Sequence, residues 1–261
     1  MKRILISVFL AAICLSSFGQ KQEEKKKFQI KGQPIVTVFA NYHAGIGNAN
    51  KESGFALDRA YLGYQFSLTE KLSGKVVFDM GSTKVSGSDL ERVAYIKNAM
   101  LSWKTGNFTL DFGLIGLEQF NVQEKFWGYR YIMKSFQDEY KFGSSADMGI
   151  LGKYKFTKWL SADITISNGE GYKKLNGDNK YRYAVGATIL PVKNLTIRTY
   201  YDLASKSIEG DETKDQQNLA FFAGYKHELF SIGAEYNQMY NTKFKEDNDQ
   251  SGFSVYSTIK L

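Results

Sequence analysis

RAYLGYQFSLTEKLSGKVVFDMG, residues 59–81, carries two apolar stripes in succession. Ala60, Leu62, Tyr64, Phe66 and Leu68 fall at every second position, with Arg59, Tyr61, Gly63, Gln65 and Ser67 between them. After Thr69, Glu70 and Lys71 the beat resumes: Leu72, Gly74, Val76, Phe78 and Met80 against Ser73, Lys75, Val77 and Asp79. A period of two sends successive side chains to opposite faces of a β-strand. Each strand here therefore has one greasy face and one polar face, and a short link joins the two.

The pattern recurs to the end of the chain. Strands are predicted near 34–44, 55–68, 72–81, 92–104, 107–118, 145–156, 159–168, 181–190, 194–203, 218–226, 229–240 and 252–261. Their length, roughly ten residues, fits membrane-spanning strands better than the ~5–6 residues of ordinary sheets. Phe108, Leu110, Phe112 and Leu114 oppose Thr109, Asp111 and Gly113, and Leu160, Ala162, Ile164 and Ile166 oppose Ser161, Asp163, Thr165 and Ser167. The fourth strand breaks the pattern, because Lys97 falls on its apolar parity, and its register stays open.

Which face meets water decides the fold class. A soluble sandwich covers its outer face with long charged side chains. Here the polar face is rich in Gly, Ser, Thr, Asp and Asn with isolated Arg or Lys, which suits a crowded aqueous interior. Tyr64, Trp103, Tyr154, Tyr201 and Tyr236 sit toward the ends of apolar faces, as interfacial girdles do. The connections also sort by length. Short links at 69–71, 105–106, 157–158, 191–193 and 227–228 alternate with long polar ones at 45–54, 82–91, 119–144, 169–180, 204–217 and 241–251. These features predict an all-β fold: an antiparallel transmembrane β-barrel of about twelve strands, with short periplasmic turns and long extracellular loops. Hydrocarbon admits a sheet only when its backbone amides find partners within it, which an even, closed count provides.

Composition agrees. Aromatics reach 15% and Pro occurs only twice in 261 residues, which suits long uninterrupted ladders. Past the N-terminus no apolar run approaches the ~18 residues of a membrane helix. Lys2 and Arg3, followed by apolar residues 4–15 and small residues Ser17 and Gly19, read as a signal peptide over 1–19. A short periplasmic tail at 20–33 and a barrel over 34–261 follow. Cys14, the one cysteine, lies inside that leader. Loss of Lys2 and Arg3 would lower the formal charge from +7 to +5, a mild excess with no nucleic-acid signature.

The inward parity supplies pore-lining candidates: Arg59, Lys75, Asp79, Asp111, Lys153, Arg182, Arg198, Lys226 and Glu235. Two readings stand. Rings of Arg and Lys favour anions, or the charges pair across the interior and brace it. Segment 120–143, FNVQEKFWGYRYIMKSFQDEYKFG, is unusually aromatic for a loop. It either folds inward, making Phe126, Trp127, Arg130 and Tyr131 constriction residues, or caps the rim. Catalysis is not expected. The only histidines, His43 and His227, are predicted at opposite barrel ends, and no Cys or His cluster has metal-ligand spacing. No metal or cofactor is expected.

GFALDRAYLGYQFSLTEKLSGKVVFDMG (residues 54–81), EKFWGYRYIMKSFQDEYKFGSSADMG (residues 124–149) and ISNGEGYKKLNGDNKYR (residues 166–182) resemble bacterial outer-membrane porins of the phosphate-selective porin superfamily, especially their smaller relatives. The resemblance implies a Gram-negative outer-membrane location, contact with its lipid, ion transport and a homotrimer as the assembly. It also implies a pore for small hydrophilic or anionic solutes such as phosphate. Two departures stand out: such barrels usually continue for several more strands, and they usually end in an aromatic where this chain has Leu261. The expected function is passive diffusion of small hydrophilic solutes. The alternative is a non-transporting barrel with a structural, adhesive or surface-recognition role.

Overall fold

A computed structural model of the chain describes residues 30–45, 53–82, 92–174, 179–206 and 212–260. The expected signal peptide lies outside the described residues. Twelve strands form a single antiparallel sheet in which each pairs with its neighbours in chain order. They are β1 (Lys31–Ala44), β2 (Ser53–Ser67), β3 (Leu72–Ser82), β4 (Arg92–Thr105), β5 (Phe108–Gly116), β6 (Ala146–Lys155), β7 (Leu160–Ser167), β8 (Arg182–Ile189), β9 (Leu195–Ala204), β10 (Gln216–Lys226), β11 (Phe230–Tyr240) and β12 (Gln250–Ile259). The first begins at Lys31, slightly before the expected start at 34.

Short turns gather at one end of the sheet, long connections at the other. Local chemistry closes the short ones. Thr69 Oγ1 accepts from the backbone N–H groups of Lys71 and Leu72, at 3.2 and 2.9 Å. Thr157 repeats the device with Trp159 and Leu160, at 3.2 and 3.0 Å. A threonine hydroxyl that stands in for a backbone acceptor favours turn over strand. The β4–β5 turn uses Gly106 at φ +54°, a left-handed conformation that glycine adopts without steric cost.

Burial is inverted relative to a soluble domain. Asp79, Asp147, Asp202 and Asn237 are buried to 1% exposure or less, while Phe112, Ile164 and Phe253 stand 59%, 62% and 76% exposed. Exposed aromatics form two belts. Trp103 and Phe108, Tyr154 and Phe156, and Tyr225 and Phe230 meet near the short-turn end, while Tyr42 and Phe55, and Tyr181 and Tyr183, meet at the long-loop end. That is the outer surface a bilayer requires.

Lys97 is explained by a bulge. Val77 pairs with Asn98 and Phe78 with Ile96, so Lys97 is the extra residue between them. A bulge leaves one residue unpaired and re-aims its side chain. Lys97 accordingly donates to Tyr61 Oη at 3.0 Å, with its ammonium 4.4 Å from that ring. The parity break is a register shift, and the lysine joins the polar face.

Between β5 and β6 the chain forms helix α1 (Glu118–Trp127) and a single turn, α2 (Phe136–Glu139). Gly128 ends α1 in the left-handed region at φ 75°, and its N–H donates to Glu124 O. This segment touches the polar face of the sheet from many sides. Phe126 meets Phe222 on β10 and Tyr256 on β12, Arg130 lies over Phe39 on β1, and Glu118 reaches Lys153 on β6. A flat sheet could not bring β1, β6, β10 and β12 to one segment, so the sheet curls around it. Among the described residues no helix is long and apolar enough to cross a membrane.

Candidate functional site

The candidate site is the polar interior of the curled sheet and the segment inside it. Of the two placements open for residues 120–143, the contacts select the inward one. Helix α1 buries Gln119, Phe120, Gln123 and Phe126, which recur at helical spacing along one side. Its start lies beside the middle of β9, where Arg198 Nε donates to Gln119 Oε1 at 2.9 Å. Its last turn lies at the short-turn end, where Lys226 Nζ reaches Lys125 O at 3.4 Å and stands 4.7 Å from the Phe126 ring. The chain then returns. Asn218 Nδ2 donates to Phe142 O at 2.6 Å and Gln250 Nε2 to Tyr140 O at 2.8 Å.

Arg198 is the centre of this packing. Its side chain is fully enclosed, pairs with both carboxylate oxygens of Asp163 at 2.7 and 3.0 Å, and also donates to Thr188 Oγ1 at 2.9 Å. Asp163 is two strands away on β7, and the guanidinium reaches it by crossing β8 over Gly186. A Cβ at Gly186 would stand 2.4 Å from Arg198 Nη2. A second glycine seats the helix: a Cβ at Gly224 would lie 2.5 Å from the Phe126 ring.

The remaining inward candidates fall into two groups. Arg59 pairs with Asp79 at 2.8 Å, Arg182 with Asp202 at 2.6 Å, and Lys153 with Asp111 at 3.0 Å and Glu118 at 3.7 Å. Glu235 is buried with Asn237 as its hydrogen-bond neighbour. Lys75 and Lys97 differ, because among the described residues neither has a carboxylate within ion-pair distance. Trp127 is tied by Nε1 to Met133 O at 2.9 Å, Arg130 pairs with Asp138 at 3.2 Å, and Tyr131 is exposed. Phe126 packs against the wall and faces no open space.

Open space remains on the β1–β6 side. A cavity of about 320 Å³ lies between α1 and that wall, bordered by Tyr61, Lys75, Lys97, Asp111 and Glu124. A second, of about 360 Å³, opens at the short-turn end beside Lys31, Gln65 and Ser73. The two share Lys75 and Met100, so they follow one line along the wall. The β7–β8 connection reaches this wall from across the interior. Tyr172 Oη donates to Asp79 Oδ2 at 3.2 Å, and burial, reinforced by Asp79, holds its phenol proton above the ordinary tyrosine range.

Sequence reasoning placed the inward parity but not α1, and it had no means to separate the paired charges from Lys75 and Lys97. His43 lies beside Asn41 on β1 near the long loops, and His227 accepts from Leu229 N in the β10–β11 turn. The two histidines stand at opposite ends. Among the described residues no group of three metal-ligating side chains comes together.

No protein-family pattern matches the sequence, and no curated protein matches it. Solved structures do match in shape. The outer membrane channel DcaP of Acinetobacter baumannii superposes at TM-score 0.60, with 12% identity over 91% of this chain and 76% of that one. OccAB4 of the same organism gives 0.46 at 8% identity over 91% and 66%, and OmpF of Salmonella typhi gives 0.41 at 12% over 88% and 97%. Of these three, DcaP overlaps closely enough to bear on architecture. The chain has the fold of an outer-membrane channel.

Proposed function

We propose that the protein is an outer-membrane porin through which small hydrophilic solutes diffuse passively. One observation carries the reading: apolar side chains cover the outside of the sheet while charged groups line a partly open interior. The inward segment then acts as a constriction, leaving the β1–β6 side as the route. A preference for anions, phosphate among them, is supported by Lys75 and Lys97, which border that route and, among the described residues, have no carboxylate within ion-pair distance. The likeness to phosphate-selective porins, the homotrimer, the leader at 1–19 and the absence of catalysis belong to the same proposal and rest on the sequence. Refolded protein should give stepwise conductance in planar bilayers. Well-folded protein without channels would end the pore reading.

A second reading, a barrel that does not transport, draws on how much of the interior α1 and its return fill. Removing residues 118–143 separates the two. A porin conducts before the deletion and several-fold more after it, whereas a plugged barrel conducts only afterwards.

A further inference from the structure

A third cavity, of about 450 Å³, lies at the long-loop end, between the return of the inward segment and the ends of β8–β12. Its size is within the ~300–1,000 Å³ of pockets that hold small organic molecules. Its chemistry differs from that of the β1–β6 route. The charges in its floor are matched locally. Arg182 pairs with Asp202, whose second oxygen accepts from Tyr200 Oη at 2.8 Å, and Asp147 accepts from the backbone N–H groups of Met148 and Gly169 at 2.8 and 2.7 Å.

What remains uncommitted includes carboxamide and the Thr242 hydroxyl. Gln119, Gln137 and Asn218 border the chamber at 4%, 1% and 2% exposure. Each keeps one polar atom without a protein partner: Nε2 of the two glutamines and Oδ1 of the asparagine. Two of these orientations are fixed by neighbours, since Gln119 Oε1 accepts from Arg198 and Asn218 Nδ2 donates to Phe142 O. The wall of the chamber thus holds spare donors and a spare acceptor, each enclosed within it. Tyr140, half exposed, adds an aromatic surface, while Lys141, Lys243 and Glu170 stand at the rim with both signs represented.

We propose that this chamber is a binding subsite for a neutral polyhydroxylated solute of mono- or disaccharide size. A sugar hydroxyl donates and accepts at once, which matches amide side chains better than any ion does. The apolar face of a pyranose ring suits the tyrosine. The border carries three cations, Lys141, Arg182 and Lys243, and three carboxylates, Asp147, Glu170 and Asp202, so an anion or cation entering it would lose water without meeting a net countercharge. The inference rests on the channel reading, in that a solute held at this mouth is on its way into the interior.

Calorimetric titration of the refolded full chain in detergent, with maltose as probe and succinate as the charged comparator, tests it, alongside bilayer conductance of the same preparation. Maltose should bind saturably and succinate should not at the same concentrations. Gln137→Leu, which keeps the volume and removes the amide, should weaken maltose about fivefold or more. Gln216 on β10 also borders the chamber, and Gln216→Leu provides a second variant should the first not fold. Absence of saturable maltose binding, succinate binding as tight as maltose, or indifference to the folded variants would overturn the subsite. Conductance without maltose binding removes the subsite and keeps the channel. Binding without conductance keeps the subsite as a site and removes the channel.

Discussion

The inner surface of β1–β4 and that of β8–β11 are built from the same alternating pattern, yet they became different materials. On β8–β11, Arg198, Asp202, Asn218 and Asn237 are all buried to 2% exposure or less, and Arg198 and Asp202 are each held in an ion pair. On β1–β4, Ile35 and Phe39 are only half-buried, and Lys75 and Lys97 border open space. The difference is made by α1, which lies against one wall and leaves open space along part of the other. A strand's parity decides which way a side chain points. What it meets there is decided by a segment elsewhere in the chain.

The sharpest way to break this comparison is Arg198→Ala. It leaves Asp163 enclosed without its cation, and stranding one member of a buried pair costs about 3–5 kcal/mol. Urea unfolding followed by heat-modifiable gel mobility should register that loss, together with release of α1 and a rise in conductance. An effect below about 1 kcal/mol would mean that the β8–β11 interior is wetter than its burial indicates.

Glycine-to-alanine changes come next. At Gly186 the new methyl meets Arg198 at 2.4 Å, and overpacking of this kind costs about 1–3 kcal/mol. At Gly54, on β2, a Cβ meets nothing within 4 Å, and the change should stay within about 0.5 kcal/mol. Equal effects at the two sites would erase the contrast between the walls.

Selectivity should respond on one wall only. Lys75→Gln with Lys97→Gln should lower the anion-to-cation permeability ratio about twofold, as loss of a charged pore lining does. Arg182→Gln with Asp202→Asn removes a matched pair and should leave the ratio unchanged. Reversal-potential measurements in a salt gradient decide between them.

The smallest effect expected is at the β7–β8 connection. Tyr172→Phe removes a hydrogen bond to Asp79 and should cost about 1 kcal/mol at neutral pH. Its pH dependence has a defined sign. The folded phenol keeps its proton above the pH at which an unfolded tyrosine, at about 10, releases it. Stability from this group is therefore fully present below pH ~10 and declines as pH rises beyond that. The phenylalanine variant should lose less stability than the parent over that alkaline range.

How much of this was legible beforehand follows a physical line. Strand order, loop sorting and inward parity are local properties, and residues 59–81 already display them. Lys97 was visible as an anomaly, but a bulge depends on the partner strand, so its register could not be read from β4 alone. Helix α1 was hidden by composition: Gln119 and Gln123 take positions on the buried side that a soluble helix would give to leucine. Arg198 and Asp163 are 35 residues apart and two strands apart, and only the glycine between them on β8 marked the crossing.

The grip on α1 bears on how the molecule is assembled. The helix is made before β6 in chain order, yet it is clasped by β9, β10 and β12. The strands that hold α1 thus come later in the chain than the helix they hold. Until those strands arrive, Gln119 lacks Arg198, and Phe126 lacks the rings of Phe222 and Tyr256 that enclose it.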